Sequence, residues 1–285
     1  MARTCGGQRR PGRRWRGAGA LTLVSLLLAA AGCGSGSRGT ATATSAAVTS
    51  TTLAAAPPQP SERCGDPATK ARTFWLDVPG GGRLQAAMVG GGPEAAVFVH
   101  ESGSEGLCGF WPYANWLART HHLRAVLFDQ CGYGESACPG GRDETGPAWG
   151  AASAAAVAWA RGHGARQVTL VGASFGGIVV LHAATSIRPP VDAVVDLSGE
   201  LSWNDLDSLP ASRDLAVPAL FAVAPGDRYV TVKDMRRVYQ ASSATPKRLV
   251  VLAQPLGHGW AMLDDGSGWT PLASTVADWV GGRRR

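Results

Sequence analysis

The chain has almost no lysine, no acid at its start, and no apolar run long enough to span a membrane in a mature protein. Only three of its 27 basic residues are lysine, and we read the arginine bias as coding preference, without functional content. No Asp or Glu occurs among residues 1–32, where six arginines lie. Those six account for the whole formal charge of +6 and leave 21 basic against 21 acidic residues in the remainder. Net basicity is therefore no argument for nucleic acid, and no nucleic-acid partner is expected. The apolar stretch at 18–31 is too short for a mature spanning helix. No Cys-x-x-Cys pair or histidine cluster points to zinc, and neither a cofactor motif nor an internal repeat appears.

What the leading segment does contain is a basic start, an apolar middle and Ala30-Ala31-Gly32-Cys33, which resembles a bacterial lipobox. This predicts a signal peptide over 1–32, lipid on Cys33, and an exported protein at the outer face of the cell membrane, with plain secretion or an uncleaved anchor as alternatives. The arginine doublets at 9–10 and 13–14 match only part of the signature of a folded-protein export route. Residues 34–60 are Ala, Thr, Ser and Pro with few large apolar side chains, so they cannot repay the entropy of folding. We assign 33–69 to the lipidated cysteine and a tether, whose flexible 27 residues would reach about 25 to 30 Å, and 70–285 to one folded domain. Beyond Cys5 and Cys33, four cysteines remain, Cys64, Cys108, Cys131 and Cys138, an even number that suits an oxidising compartment. Of three possible pairings, chain proximity favours Cys131 with Cys138 and Cys64 with Cys108, and all three stay open.

The most informative stretch is 167–180, where an apolar strand runs through Gly172-Ala-Ser174-Phe-Gly176 into a helix-like segment. A serine at a sharp strand-to-helix turn stands clear of the sheet, and the crowding there admits only glycine two residues to either side. A serine hydroxyl needs a base, and the base needs an orienting carboxylate. The strand-like run at 218–224 ends in Pro-Gly-Asp227, and the run at 247–253 leads to Leu-Gly-His258-Gly. His258 is the one histidine of six that follows Asp227. Asp196, inside the preceding strand, is a weaker second candidate for the acid, and Asp264 and Asp265 break the order.

Here the chain resembles the α/β-hydrolase family, whose triad runs Ser, then Asp or Glu, then His. The likeness covers about residues 70–282. It includes the run from Ala95 to His100, similar to the family's third strand and His-Gly oxyanion loop, and Asp129-Gln-Cys-Gly132-Tyr-Gly134-Glu-Ser136, similar to its turn after the fourth strand. The resemblance implies an oxyanion hole from the amides of Phe175 and of Ser102 or Glu101. Glu101 stands where the family usually has glycine, so that second amide is open.

Strands near 73–78, 83–89, 95–101, 124–129, 167–171, 192–197, 218–224 and 247–253 alternate with helical segments at 110–119, 149–161, 175–187, 230–242 and 270–280. The pattern predicts an α/β fold: a mainly parallel eight-stranded sheet with helices on both faces, opened by an antiparallel hairpin. The connection at 197–217 has room for one or two short helices around 203–213, so the cap is minimal and the site open. Phe110, Trp111, Trp203 and Trp260 are candidates for its walls, although core packing is the better account of most. His121-His122 reads as a helix end. The function expected is a tethered serine hydrolase acting on a small-molecule ester or acyl substrate, without cofactor or metal. The alternatives are an inactive binding lipoprotein, or a peptidase, thioesterase or acyltransferase of the same fold.

Overall fold

The computed structural model describes residues 55–66, 69–141 and 146–284. The expected signal peptide, Cys33 and the tether up to residue 54 lie outside the described residues. A short helix α1 (Pro60–Arg63) precedes strands β1 (Arg72–Val78), β2 (Gly82–Val89) and β3 (Glu94–Val99). Then come α2 (Trp111–Thr120), β4 (Arg124–Phe128), α3 (Gly146–Gly162), β5 (Gln167–Ala173), α4 (Phe175–Ser186) and β6 (Ala193–Leu197). A hairpin of β7 (Ser202–Trp203) and β8 (Leu206–Asp207) leads to α5 (Ser208–Arg213), β9 (Ala219–Val223), α6 (Val232–Ala241), β10 (Lys247–Val251) and α7 (Pro271–Val280).

The main sheet has eight strands in the order β1-β2-β4-β3-β5-β6-β9-β10. β2 pairs antiparallel with both neighbours and every other pair is parallel, so β2 alone runs against the rest. The inner strands are apolar on both faces because both are covered. In β3, Ala95, Val97 and Val99 face a core formed with α3, α4 and α6, while Ala96 and Phe98 face one formed with α2 and α7. The chain leaves β3 for β4 on one side and returns to β5 on the other, by helices on opposite faces. The crevice beyond the carboxyl ends of β3 and β5 is therefore the topological switch point, where such sheets bind ligands.

Packing reaches upstream of residue 70. The Gln59 side chain makes two hydrogen bonds of 3.1 Å to the Ala71 backbone, and the Arg63 guanidinium lies 2.6 Å from the buried carboxylate of Asp129. Cys64 is bonded to Cys108 and Cys131 to Cys138, the two pairs that chain proximity favours. One local expectation changes. β3 stops at Val99, because His100 turns its ring onto the Glu101 carbonyl and the Gln130 amide. The segment at 203–213 holds one helix and a hairpin, since Asn204 takes a positive φ of 48° in the two-residue turn and Asp207 caps α5 through the Leu209 amide. Among the described residues no helix is long and apolar enough to cross a membrane.

Candidate active site

Ser174 occupies the one-residue joint between β5 and α4, with φ 52° and ψ −123°. A non-glycine residue with positive φ stores about 1 to 3 kcal/mol of strain and persists only where its surroundings impose it. The surroundings here are visible. A Cβ on Gly172 would overlap the Gly176 carbonyl, and one on Gly176 would overlap the Val99 carbonyl. Glycine at both places lets the first turn of α4 press against β5 and β3, which aims the serine into the crevice.

His258, on the loop after β10, turns Nδ1 toward Asp227 on the loop after β9, at 3.0 and 2.8 Å from the two carboxylate oxygens. The Asp227 side chain is wholly buried and also accepts from the Tyr229 and Val230 amides at 2.9 and 3.1 Å. Burial alone would raise its pKa, but these donors, with Ser198, hold it below the ordinary carboxylate value. For His258 burial favours the neutral ring, yet the bond and charge of Asp227, with Glu101 and Glu200, raise its pKa above the usual imidazole value. Its Nε2 is buried and without a hydrogen-bond partner among the described residues. Asp196 makes no bond to His258. It lies buried within β6, accepts from the Gly199 amide at 2.6 Å, and is pushed up to about 7 by burial.

Two further carboxylates complete the cluster. Glu200, three residues past β6, accepts from the Ser174 hydroxyl at 3.3 Å, and burial raises its pKa against that bond and the attraction of His258. Sequence reasoning missed it, although its position just beyond a strand's carboxyl end is the signal that singled out Asp227. Glu101 accepts from the Trp260 amide at 2.9 Å, and its burial raises it to about 7. The neighbouring loop is pinned: the His100 ring bridges the Glu101 carbonyl at 2.5 Å and the Gln130 amide at 2.9 Å, and the Tyr133 hydroxyl donates to the Ser102 carbonyl at 2.7 Å.

Ser102 and Phe175 both line a small pocket of about 40 Å³, completed by Gln130, Cys131, Tyr133, Trp149 and Trp203. A much larger groove of about 810 Å³ lies between α3 and α4 and includes none of these residues; the small pocket is the one that Phe175, the residue after Ser174, lines. Of the four aromatic residues considered for the walls, Trp203 lines this pocket, while Phe110 and Trp111 are fully buried core and Trp260 packs edge-on against Phe110. His121 ends α2, with its amide on the Leu117 carbonyl. Among the described residues no group of three His, Cys, Asp or Glu side chains is arranged to hold a metal.

No family model matches the chain, and no curated protein does. Solved structures do. An esterase of Pyrococcus furiosus superposes with a TM-score of 0.64 at 11% identity, over 81% of this chain and 98% of its own. A thermophilic esterase of Thermogutta terrifontis, with malate bound, gives 0.62 at 15% identity over 75% and 100%. An enzyme of Butyrivibrio proteoclasticus with ferulic acid bound gives 0.57 at 16% over 73% and 96%. At such identities the likeness is one of architecture, and this chain has the α/β-hydrolase fold of these esterases.

Proposed function

We propose that this chain is a serine hydrolase that cleaves small carboxylic esters through an acyl-enzyme. The observation that carries the reading is His258, held through Nδ1 by the buried Asp227 with Nε2 left unpartnered among the described residues, while a serine on a strained elbow is bonded to Glu200, whose charge acts on the same ring. In this reading the Ser174 hydroxyl leaves Glu200, swings to Nε2 and attacks the carbonyl as His258 takes its proton. The imidazolium then protonates the departing alcohol, and water, activated by the same ring, releases the acid. The amides of Phe175 and of Ser102 or Glu101 are the donors for the oxyanion. The esterase neighbours support an ester as the bond cleaved, and the ferulic acid and malate bound to two of them support a small-molecule substrate.

The open crevice and the small pocket beside Phe175 favour compact acyl groups. With p-nitrophenyl esters of increasing chain length, kcat/KM is expected to peak at short acyl chains, with no jump in rate when substrate forms an oil interface, because the β7–β8 hairpin and α5 make too small a lid to displace. Preference for long-chain triglyceride with interfacial activation would refute the open-site reading.

We also propose that residues 1–32 are removed on export and that Cys33 is lipidated, tethering the domain to the outer face of the bacterial membrane. Both disulfides agree with an oxidising compartment. Cys33→Ala is expected to abolish metabolic labelling with palmitate and to move the protein from the membrane fraction to soluble or unprocessed fractions. An unlabelled wild type would replace tethering with simple secretion.

A further inference from the structure

The residue that departs from the family pattern also joins the loop after β3 to the loop after β10. Glu101 follows β3, and its Oε1 accepts from the Trp260 backbone amide two residues after His258. Between them Gly259 has φ 56°, and a Cβ there would overlap Glu101 Oε1 and press on the Ala173 side chain. The carboxylate thus occupies the space that a glycine at 259 leaves open, and Gly259 and Glu101 fit only as a pair. Trp260 is fixed in turn: its ring lies where a Cβ on Gly109 would be, and it packs edge-on against Phe110 with centroids 5.6 Å apart. The loop carrying the base is therefore attached to the rigid end of β3 by one charged hydrogen bond.

We propose that Glu101 is a positioning residue for His258: its carboxylate ties the histidine loop to the loop after β3 and adds a negative charge beside the imidazole. The catalytic consequence rests on reading His258 as the base; the tether and the charge do not. The ionisable groups facing His258 are Asp227 and Tyr229 from the loop after β9, Asp196 from β6, Glu200 from the loop after β6, and Glu101 itself, with Glu105 acting on Glu101 from the same loop. Asp227 holds the ring, and Glu200 takes the serine hydroxyl. Only Glu101 reaches the backbone of the histidine loop.

The sign follows from the charge. A carboxylate near the ring stabilises imidazolium, so its removal must lower the His258 pKa, and its own burial-raised titration near 7 must couple to that of the ring. The test is an NMR titration of isotope-labelled folded protein, with the His258 signal assigned by its loss in His258→Asn, alongside amide hydrogen exchange at Trp260. In Glu101→Gln the His258 pKa is expected to fall by about half a unit. The glutamine oxygen still accepts from Trp260, so exchange there stays slow. In Glu101→Ala the pKa falls similarly and Trp260 exchange quickens on the order of tenfold or more, as an unpartnered amide opens. Glu200→Gln is the control: it lowers the pKa without changing Trp260 exchange. An unmoved His258 pKa in both Glu101 variants, or equal Trp260 exchange in all forms, would overturn the proposal. Neither readout needs turnover, so a wild type that hydrolyses nothing sinks the hydrolase reading and leaves this inference to be judged on its own.

Discussion

Ser174→Ala is expected to abolish fluorophosphonate labelling everywhere in the protein and to reduce ester turnover by roughly 10⁶-fold, the scale of loss when the nucleophile of an acyl-transfer triad is removed. The substitution deletes one oxygen and leaves the backbone nearly as it was. Alanine at φ 52° bears much the same strain as serine, and the bond from the residue's own amide to the Leu197 carbonyl, 3.0 Å, does not involve the side chain. Glu200 loses its donor, but its burial is only partial, so water can replace the hydroxyl. The variant should therefore fold and melt like the wild type while losing the reaction. Mass mapping of the label to another residue, or turnover that survives the change, would remove Ser174 from the mechanism.

The fold was legible where the sequence has only one way to satisfy its backbone. Strands such as Ala193–Leu197 and Ala219–Val223 are buried on both faces, and runs of that kind, alternating with helices, fit only a covered parallel sheet. The elbow was legible because glycines at 172 and 176 answer a steric demand that any side chain would violate. Shorter-range features were less readable. The β7–β8 hairpin depends on one positive φ at Asn204, a choice of turn that two residues of sequence scarcely announce. The bond from Glu101 to Trp260 was hidden for another reason. It joins positions 159 residues apart, and only the topology brings the ends of β3 and β10 to one crevice. Glu101 stood out as a departure from a pattern, but what its carboxylate touches required the fold.

The acid offers the sharpest discrimination, because two buried aspartates lie near the same histidine and differ in what they touch. Asp227→Asn is expected to lower kcat by roughly 10⁴-fold, as when a triad carboxylate becomes an amide, with little loss of stability. The hydrogen bonds dictate how the amide would sit. Asp227 Oδ1 receives the Tyr229 and Val230 amides, so that atom must remain an oxygen. The new NH₂ group then falls on the Oδ2 side, 2.8 Å from His258 Nδ1, and makes Nδ1 an acceptor. The ring's proton moves to Nε2, which can no longer take one from Ser174, and only the charges of Glu101 and Glu200 remain to favour an imidazolium. Asp196→Asn has no such consequence. Its oxygen still accepts from the Gly199 amide, and its other oxygen has no partner among the described residues, so a neutral amide there removes a Coulombic attraction but no hydrogen bond from His258. Turnover of Asp196→Asn should stay within a few fold of wild type, since no reacting group changes its tautomer. Steady-state rates of the two variants, on proteins shown by circular dichroism to be folded, decide the assignment: an active Asp227→Asn beside an inactive Asp196→Asn would transfer the role to the strand residue.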